Sequence, residues 1–152
     1  MLKQSEKPTS KRRLIMMQAQ LTESNILPYI LAGKAIFTIR NPNTGKSFTY
    51  KVKQPKDCSK WFVSVLTGSD NTSDYSYFGF LNERKEFVYG RGKSRIAEAA
   101  PSVLAFRWFM SNLGNLKGVE CFHSGRCARC GRVLTVVESV TTGLGPECRK
   151  AA

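Results

Sequence analysis

The sequence is short of acid and nearly devoid of histidine: 11 Asp and Glu stand against 24 Lys and Arg, with one His, in 152 residues. No run of about eighteen apolar residues occurs, which argues against a membrane-spanning helix. The opening MLKQSEKPTSKRR lacks the apolar stretch of a secretory signal, so a reducing cytoplasm is expected. There, five cysteines, an odd number, read as metal ligands plus a spectator rather than a disulfide framework. Neither internal repeats nor low-complexity tracts are present. Both G-K-S strings, at Gly45 and Gly92, lack the earlier glycine of a phosphate-binding loop, since Arg40 and Phe87 stand in its place.

What is abundant is positive charge. The formal net charge of +13 favours polyanionic partners, meaning nucleic acid or a nucleoprotein surface, over acidic small molecules. The charge is concentrated. Between Lys34 and Lys60 the chain carries Lys34, Arg40, Lys46, Lys51, Lys53, Lys56 and Lys60 against Asp57 alone.

Residues 1–23 read as a basic flexible N-terminal arm. Ser24 or Asn25 is placed to cap a short helix through ILPYILAG, closed by Gly33. The period then changes to two. AIFTIR and SFTYKVK flank the turn NPNTGK as a hairpin, with Phe48, Tyr50 and Val52 on one face and Thr49, Lys51 and Lys53 on the other. WFVSVLTG, YSYFGFL and EFVYG add three strands, the last two joined tightly by NERKE. A basic loop holding Arg91, Lys93 and Arg95 leads to a helix over PSVLAFRWFMSNL. Pro101 suits its first turn, Val103, Phe106, Met110 and Leu113 make its stripe, and Gly114 ends it. The fold class expected is α+β: an antiparallel meander packed by one main helix over 24–114, followed by a small zinc-knuckle module over 115–152.

Four of the five cysteines and the histidine lie between Cys121 and Cys148. Cys127 and Cys130 form C-x-x-C with Gly131 directly after, the shape in which two thiolates chelate zinc from one tight turn. Cys148 follows the turn GLGPE and supplies a third thiolate. His123 is favoured as the fourth ligand, because the glycine in SGR lets the chain reverse within a short span. Cys121 is the alternative, and reads equally as a small buried hydrophobe. Nucleotide deaminases, which carry H-x-E and P-C-x-x-C, do not fit: the histidine is followed by SG and no proline precedes Cys127. One structural Zn²⁺ held by four ligands is therefore expected, with no catalytic residues. Arg126, Arg129 and Arg132 surround it as candidate phosphate or acidic-surface contacts. Tyr75, Tyr77, Phe78 and Phe80 are candidate base-stacking residues, although alternating aromatics more often serve as core and its cover. Cys58 reads as the spectator.

The string HSGRCARCGRVLTVVESVTTGLGPEC resembles the C-terminal zinc module of small proteins of unassigned function carried by bacteriophages, prophages and plasmids. Their pattern runs close to H-x-G-R-C-x-R-C-G-R-x-L-T-x-P-E-S-I-x-x-G-I-G-P-x-C. GKAIFTI, FTYKV, WFVSVLTG and APSVLAFRWF are similar to the sheet domain that often precedes it. The resemblance supports His123, Cys127, Cys130 and Cys148 as ligands, and departs where Val137 replaces proline. It implies a mobile-element origin and a bacterial host cytoplasm. The function expected is binding of nucleic acid or a host nucleoprotein complex, through Arg40, Lys46, Lys51, Lys53, the 91–95 loop and the arginines around the zinc. The alternative is an inhibitor of a host defence complex, such as an anti-CRISPR protein gripping a Cas effector. A hydrolase ranks last, for want of a nucleophile, base or open metal.

Overall fold

The computed structural model of the chain describes residues 20–70, 73–134 and 137–145. In chain order they form α1 (Glu23–Ile30), β1 (Lys34–Arg40), β2 (Ser47–Lys53), β3 (Trp61–Leu66), β4 (Tyr75–Leu81), β5 (Phe87–Tyr89), α2 (Pro101–Ser111), β6 (Glu120–His123) and α3 (Val137–Thr142). The fold is α+β. Its six strands make one antiparallel sheet in the order β5-β4-β3-β2-β1-β6. Among the described residues no helix is long and apolar enough to cross a membrane.

The five-strand meander follows the alternation in the sequence. Ala35, Phe37 and Ile39 on β1, Tyr50 and Val52 on β2, and Trp61, Val63 and Val65 on β3 are all buried on one face. The helix α2 packs on that face with Phe106 against Tyr50, Phe78 and Phe87 at centroid separations of 5.1, 5.8 and 5.2 Å. Its buried residues are Val103, Phe106 and Phe109, whereas Met110 and Leu113 are half-buried. The stripe turns from the expected one because Phe109 stacks on Phe37 of β1, at 6.5 Å, and draws that side of the helix down. Two polar tips inside the core are satisfied by backbone carbonyls: Tyr50 Oη donates to Ser102 and Trp61 Nε1 to Leu31.

Three boundaries differ from the sequence reading. α1 starts after Thr22, whose carbonyl accepts the amides of Asn25 and Ile26, and not after Ser24 or Asn25. Residues 20–23, read as part of the arm, belong to the domain: Leu21 is buried and its amide donates to the Cys121 carbonyl, and Gln20 bridges to Phe122. The rest of the arm, residues 1–19, lies outside the described residues. Most consequentially, the segment 115–152 does not begin as a separate module. Glu120–His123 add β6 to the free edge of β1, in register from Arg40↔Glu120 to Phe37↔His123. The edge of β1 presents backbone N–H and C=O groups that need partners, and ECFH supplies them while turning Cys121 and His123 inward.

The outward side of the sheet depends on an irregularity. Val63 pairs with Gly79 and Ser64 with Tyr77, so Phe78 is an extra residue on β4. A strict period of two would separate Tyr77 from Phe80. The bulge instead sends Phe78 into the core and leaves Tyr75, Tyr77 and Phe80 on the outer face, with Phe80 directly opposite Phe62 of β3. Gly79 is required beside it: a Cβ there would meet the Val88 carbonyl of β5 at 2.5 Å.

Candidate functional site

Two groups of residues are candidates, one beyond β6 and one on the outer face of the sheet. The first lies beyond β6. After His123 the chain turns at Gly125, Arg126 bridges to Val133, and the Cys127 carbonyl accepts the Gly131 amide, which closes the C-A-R-C turn. Gly131 has φ +82, the left-handed conformation this turn asks of the residue after Cys130. The Arg126 guanidinium donates to the Gly131 carbonyl, so it braces the turn. Ala128 ties the turn to its surroundings: its carbonyl accepts from Lys34 at the start of β1 and its amide donates to Gly143 after α3.

Cys127 is 1% exposed, and its Sγ sits in a cradle of N–H donors. Burial raises its pKa, but the amides of Gly145, Cys130 and Arg129 and the Cys130 side chain outweigh that and hold the thiol down at about 7. Donors aimed at one sulfur stabilise a thiolate, the form that binds metal. Cys130 is exposed beside it.

His123 is 5% exposed and its ring lies against Tyr29 at 5.6 Å. Its two nitrogens are distinguished by their partners. The Gly125 amide donates to Nδ1 at 2.9 Å, so Nδ1 carries the lone pair; Nε2 carries the proton and donates to the Val140 carbonyl of α3. Burial lowers the imidazole pKa, against the Val140 carbonyl, which raises it. A neutral ring whose protonated nitrogen is fixed by a carbonyl, with the other nitrogen directed at the turn leading to Cys127, has the outer partner that metal-ligating histidines have. Cys121 points into the core, and burial raises its pKa well above the usual thiol range, as expected of a small hydrophobe. Cys148 lies outside the described residues. Among those described, no three His, Cys, Asp or Glu side chains converge as a metal cluster. The donor chemistry at Cys127, Cys130 and His123 nonetheless fits zinc, and Gly145, bonded to the Cys127 sulfur, stands three residues before Cys148, a span of at most about 10 Å.

The second group lies on the outer face of the sheet, which no described helix covers: Tyr29 of α1 and Phe106 and Phe109 of α2 all pack on the opposite, core side. Lys51 and Lys53 of β2 are on the outer face, as the alternation predicts, and Lys34 of β1 stands directly opposite Lys53. Like charges in register repel, so this pair costs stability in the free protein. Lys51 is half-buried with its Nζ 5.3 Å over the Tyr75 ring, and Lys60 Nζ is 4.8 Å over Phe80. Arg91 and Lys93 border the same region, across an open groove of about 980 Å³ that Phe62, Tyr77 and Phe80 also line.

The other basic candidates are scattered. Arg40 is paired with Glu120 at 3.0 Å on the far edge, and Lys46 lines a groove beside Trp108. Arg95 is exposed, its amide donating to the Tyr77 carbonyl. Arg129 and Arg132 are exposed around the C-x-x-C turn. Phe62 and Lys60 are absent from the sequence-derived set. Phe62 was legible, because Trp61, Val63 and Val65 claim the core face and send it to the other side.

Residues 122–152 match a family of unknown function (DUF6011). The match spans every candidate ligand from His123 to Cys148. No curated protein and no solved structure matches the chain.

Proposed function

We propose that the protein is a non-catalytic binder of nucleic acid, or of a nucleoprotein complex, that works from the uncovered face of its sheet and is folded at its C-terminal end by one structural zinc. The observation that carries the reading is the lysine cluster Lys34, Lys51 and Lys53 on that face, with two of the three in direct opposition. Such an arrangement is unfavourable until an anion neutralises it. Two carboxylates, Glu120 and Glu98, are engaged by Arg40 and Arg107.

For the metal, Cys127, Cys130, Cys148 and Nδ1 of His123 are the proposed ligands, with zinc taking the place of the Gly125 amide at Nδ1. Zinc would supply a cross-link and no reaction: it joins β6 to the turn and to the segment after α3. A mobile-element origin in a bacterial host belongs to this proposal too, through the resemblance of the zinc segment.

The test is Lys53→Glu. The new carboxylate faces Lys34, so an opposite-charge pair replaces a like-charge one, and stability should hold or rise by about 0.2–1 kcal/mol. Binding to nucleic acid should weaken, with the slope of log affinity against log salt falling by about 0.7–0.9. Unchanged affinity and slope in a variant that melts normally would move the binding face elsewhere.

A further inference from the structure

We infer that the aromatic end of the uncovered face is a stacking platform for unpaired bases, so the ligand is single-stranded nucleic acid. The inference rests on the proposed nucleic-acid reading and narrows it. Phe62, Tyr77 and Phe80 belong to adjacent strands and are only half-buried, their described neighbours on the outer face being one another, the Lys60 side chain over Phe80 and the Gly90 backbone beside Tyr77. Phe62 and Tyr77 are 6.1 Å apart at 58°, and Phe80 stands across from Phe62 on the neighbouring strand. The bulge at Phe78 is what collects them on one side.

Core packing does not account for this row, because Trp61, Val63, Phe78 and Leu81 already fill the opposite face. The cations around the row are placed for a backbone that passes over it: Lys60 over the Phe80 ring, Lys53 opposite Phe62, and Arg91 and Lys93 on the far rim of the groove. Flat rings offer affinity to any base whose π-face is accessible, and flanking cations take the phosphates. A duplex hides its base faces in the stack, and an open sheet face offers no element that enters its major groove. Charge complementarity therefore selects a polyanion, and the exposed rings select an unpaired one. The chain's own residues 1–19 are a poor occupant, since Lys3, Lys7, Lys11, Arg12 and Arg13 outnumber Glu6 and would meet like charge.

The experiment uses the full zinc-loaded chain and fluorescein-labelled oligomers of about twelve nucleotides. They are oligothymidine, oligouridine and a mixed-sequence duplex, read by anisotropy between roughly 50 and 200 mM salt. Both single strands should bind about tenfold or more tighter than the duplex, and a preference between them assigns DNA or RNA. Phe62→Ala and Phe80→Ala should each weaken single-strand binding about fivefold or more, with the salt slope unchanged. Phe62→Leu keeps apolar bulk without a flat ring, and should lose affinity as Phe62→Ala does while melting like the parent. If the duplex binds as well as the single strands, or Phe62→Leu binds like the parent, the platform is refuted while the phosphate-binding reading stands. If neither form binds, the affinity having passed to a protein partner or a second copy, both fall.

Discussion

Gly143 joins the C-terminal segment to the core, and replacing it with alanine separates two costs that usually come mixed. Its φ is +74, and a Cβ built there would lie 2.2 Å from Cδ1 and 2.6 Å from Cε1 of Tyr29. The tyrosine cannot yield. It is fully buried, its hydroxyl donates to the Ile36 carbonyl at 2.7 Å, and its ring is held between Phe37 and His123. A left-handed conformation costs a residue with a Cβ about 1–2 kcal/mol, and overpacking a closed site about 1–3 kcal/mol more. The total, about 2–5 kcal/mol, is comparable with the Ala128 to Gly143 hydrogen bond and the burial of Leu144, together about 2–4 kcal/mol. In metal-free protein, Gly143→Ala should therefore loosen the segment after α3 from α1 without unfolding the sheet. Gly118→Ala is the control, because Gly118 has φ +89 and nothing lies within 4 Å of where its methyl would stand, so it bears the conformational cost alone. Hydrogen exchange at the Ala128 amide should accelerate in Gly143→Ala, and urea unfolding should place that variant about 1–3 kcal/mol below Gly118→Ala. Equal stabilities for the two variants would mean that the Tyr29 ring does not fill the space beside Gly143.

Two further outcomes are expected. Chelation of zinc, or Cys130→Ser, should remove about one equivalent of bound metal and the protection of the 124–145 region, lowering the melting temperature; an unchanged melt after verified metal removal would refute a structural role. Burial raises the Tyr29 phenol to about 12, against about 10 in an unfolded chain, so the unfolded state loses its proton first as pH rises. Tyr29 alone should cost about 2–3 kcal/mol of stability between pH 10 and pH 12, on top of the fall that buried Tyr50 and Cys121 contribute in the same direction, so Tyr29→Phe should make the alkaline slope shallower by about that amount; a slope the same in both proteins would refute it.

The strands were legible because alternation and turn residues agree along the meander: Tyr50 and Val52 go in, Lys51 and Lys53 go out, and NPNTGK and NERKE mark the reversals. β6 was not, since four residues carry too little pattern to be told from a linker, and only the vacant edge of β1 makes them a strand. The bulge at Phe78 was hidden for a different reason. YSYFGFL reads as simple alternation, and the extra residue shows only once the partner register on β3 is known. The C-x-x-C turn was legible from its glycine and spacing. The tautomer of His123 was not, because it depends on the Val140 carbonyl, delivered by a helix seventeen positions later in the chain. Where the resembled pattern has proline, Val137 opens α3, a helix-initial position that proline tolerates because its missing N–H would be unpaired there in any case.

The sheet order separates the aromatic row from the C-x-x-C turn. The aromatic row and its groove lie on β3, β4 and β5, whereas the C-x-x-C turn grips β6 and, through the Ala128 carbonyl, the first residue of β1. Lys34 is that residue, so the C-x-x-C turn bears on the lysine pair but not on the rings. Losing the metal should loosen the β1–β6 edge and with it the Lys34 side of the cationic cluster. Among the described residues, the Phe62, Tyr77 and Phe80 surface, held by the bulge and by Phe78 against Phe106, has no hydrogen bond to that turn. Affinity would then fall chiefly in its salt-dependent part, and base stacking would persist for as long as the sheet does. A metal that acted at the binding face itself would remove both together.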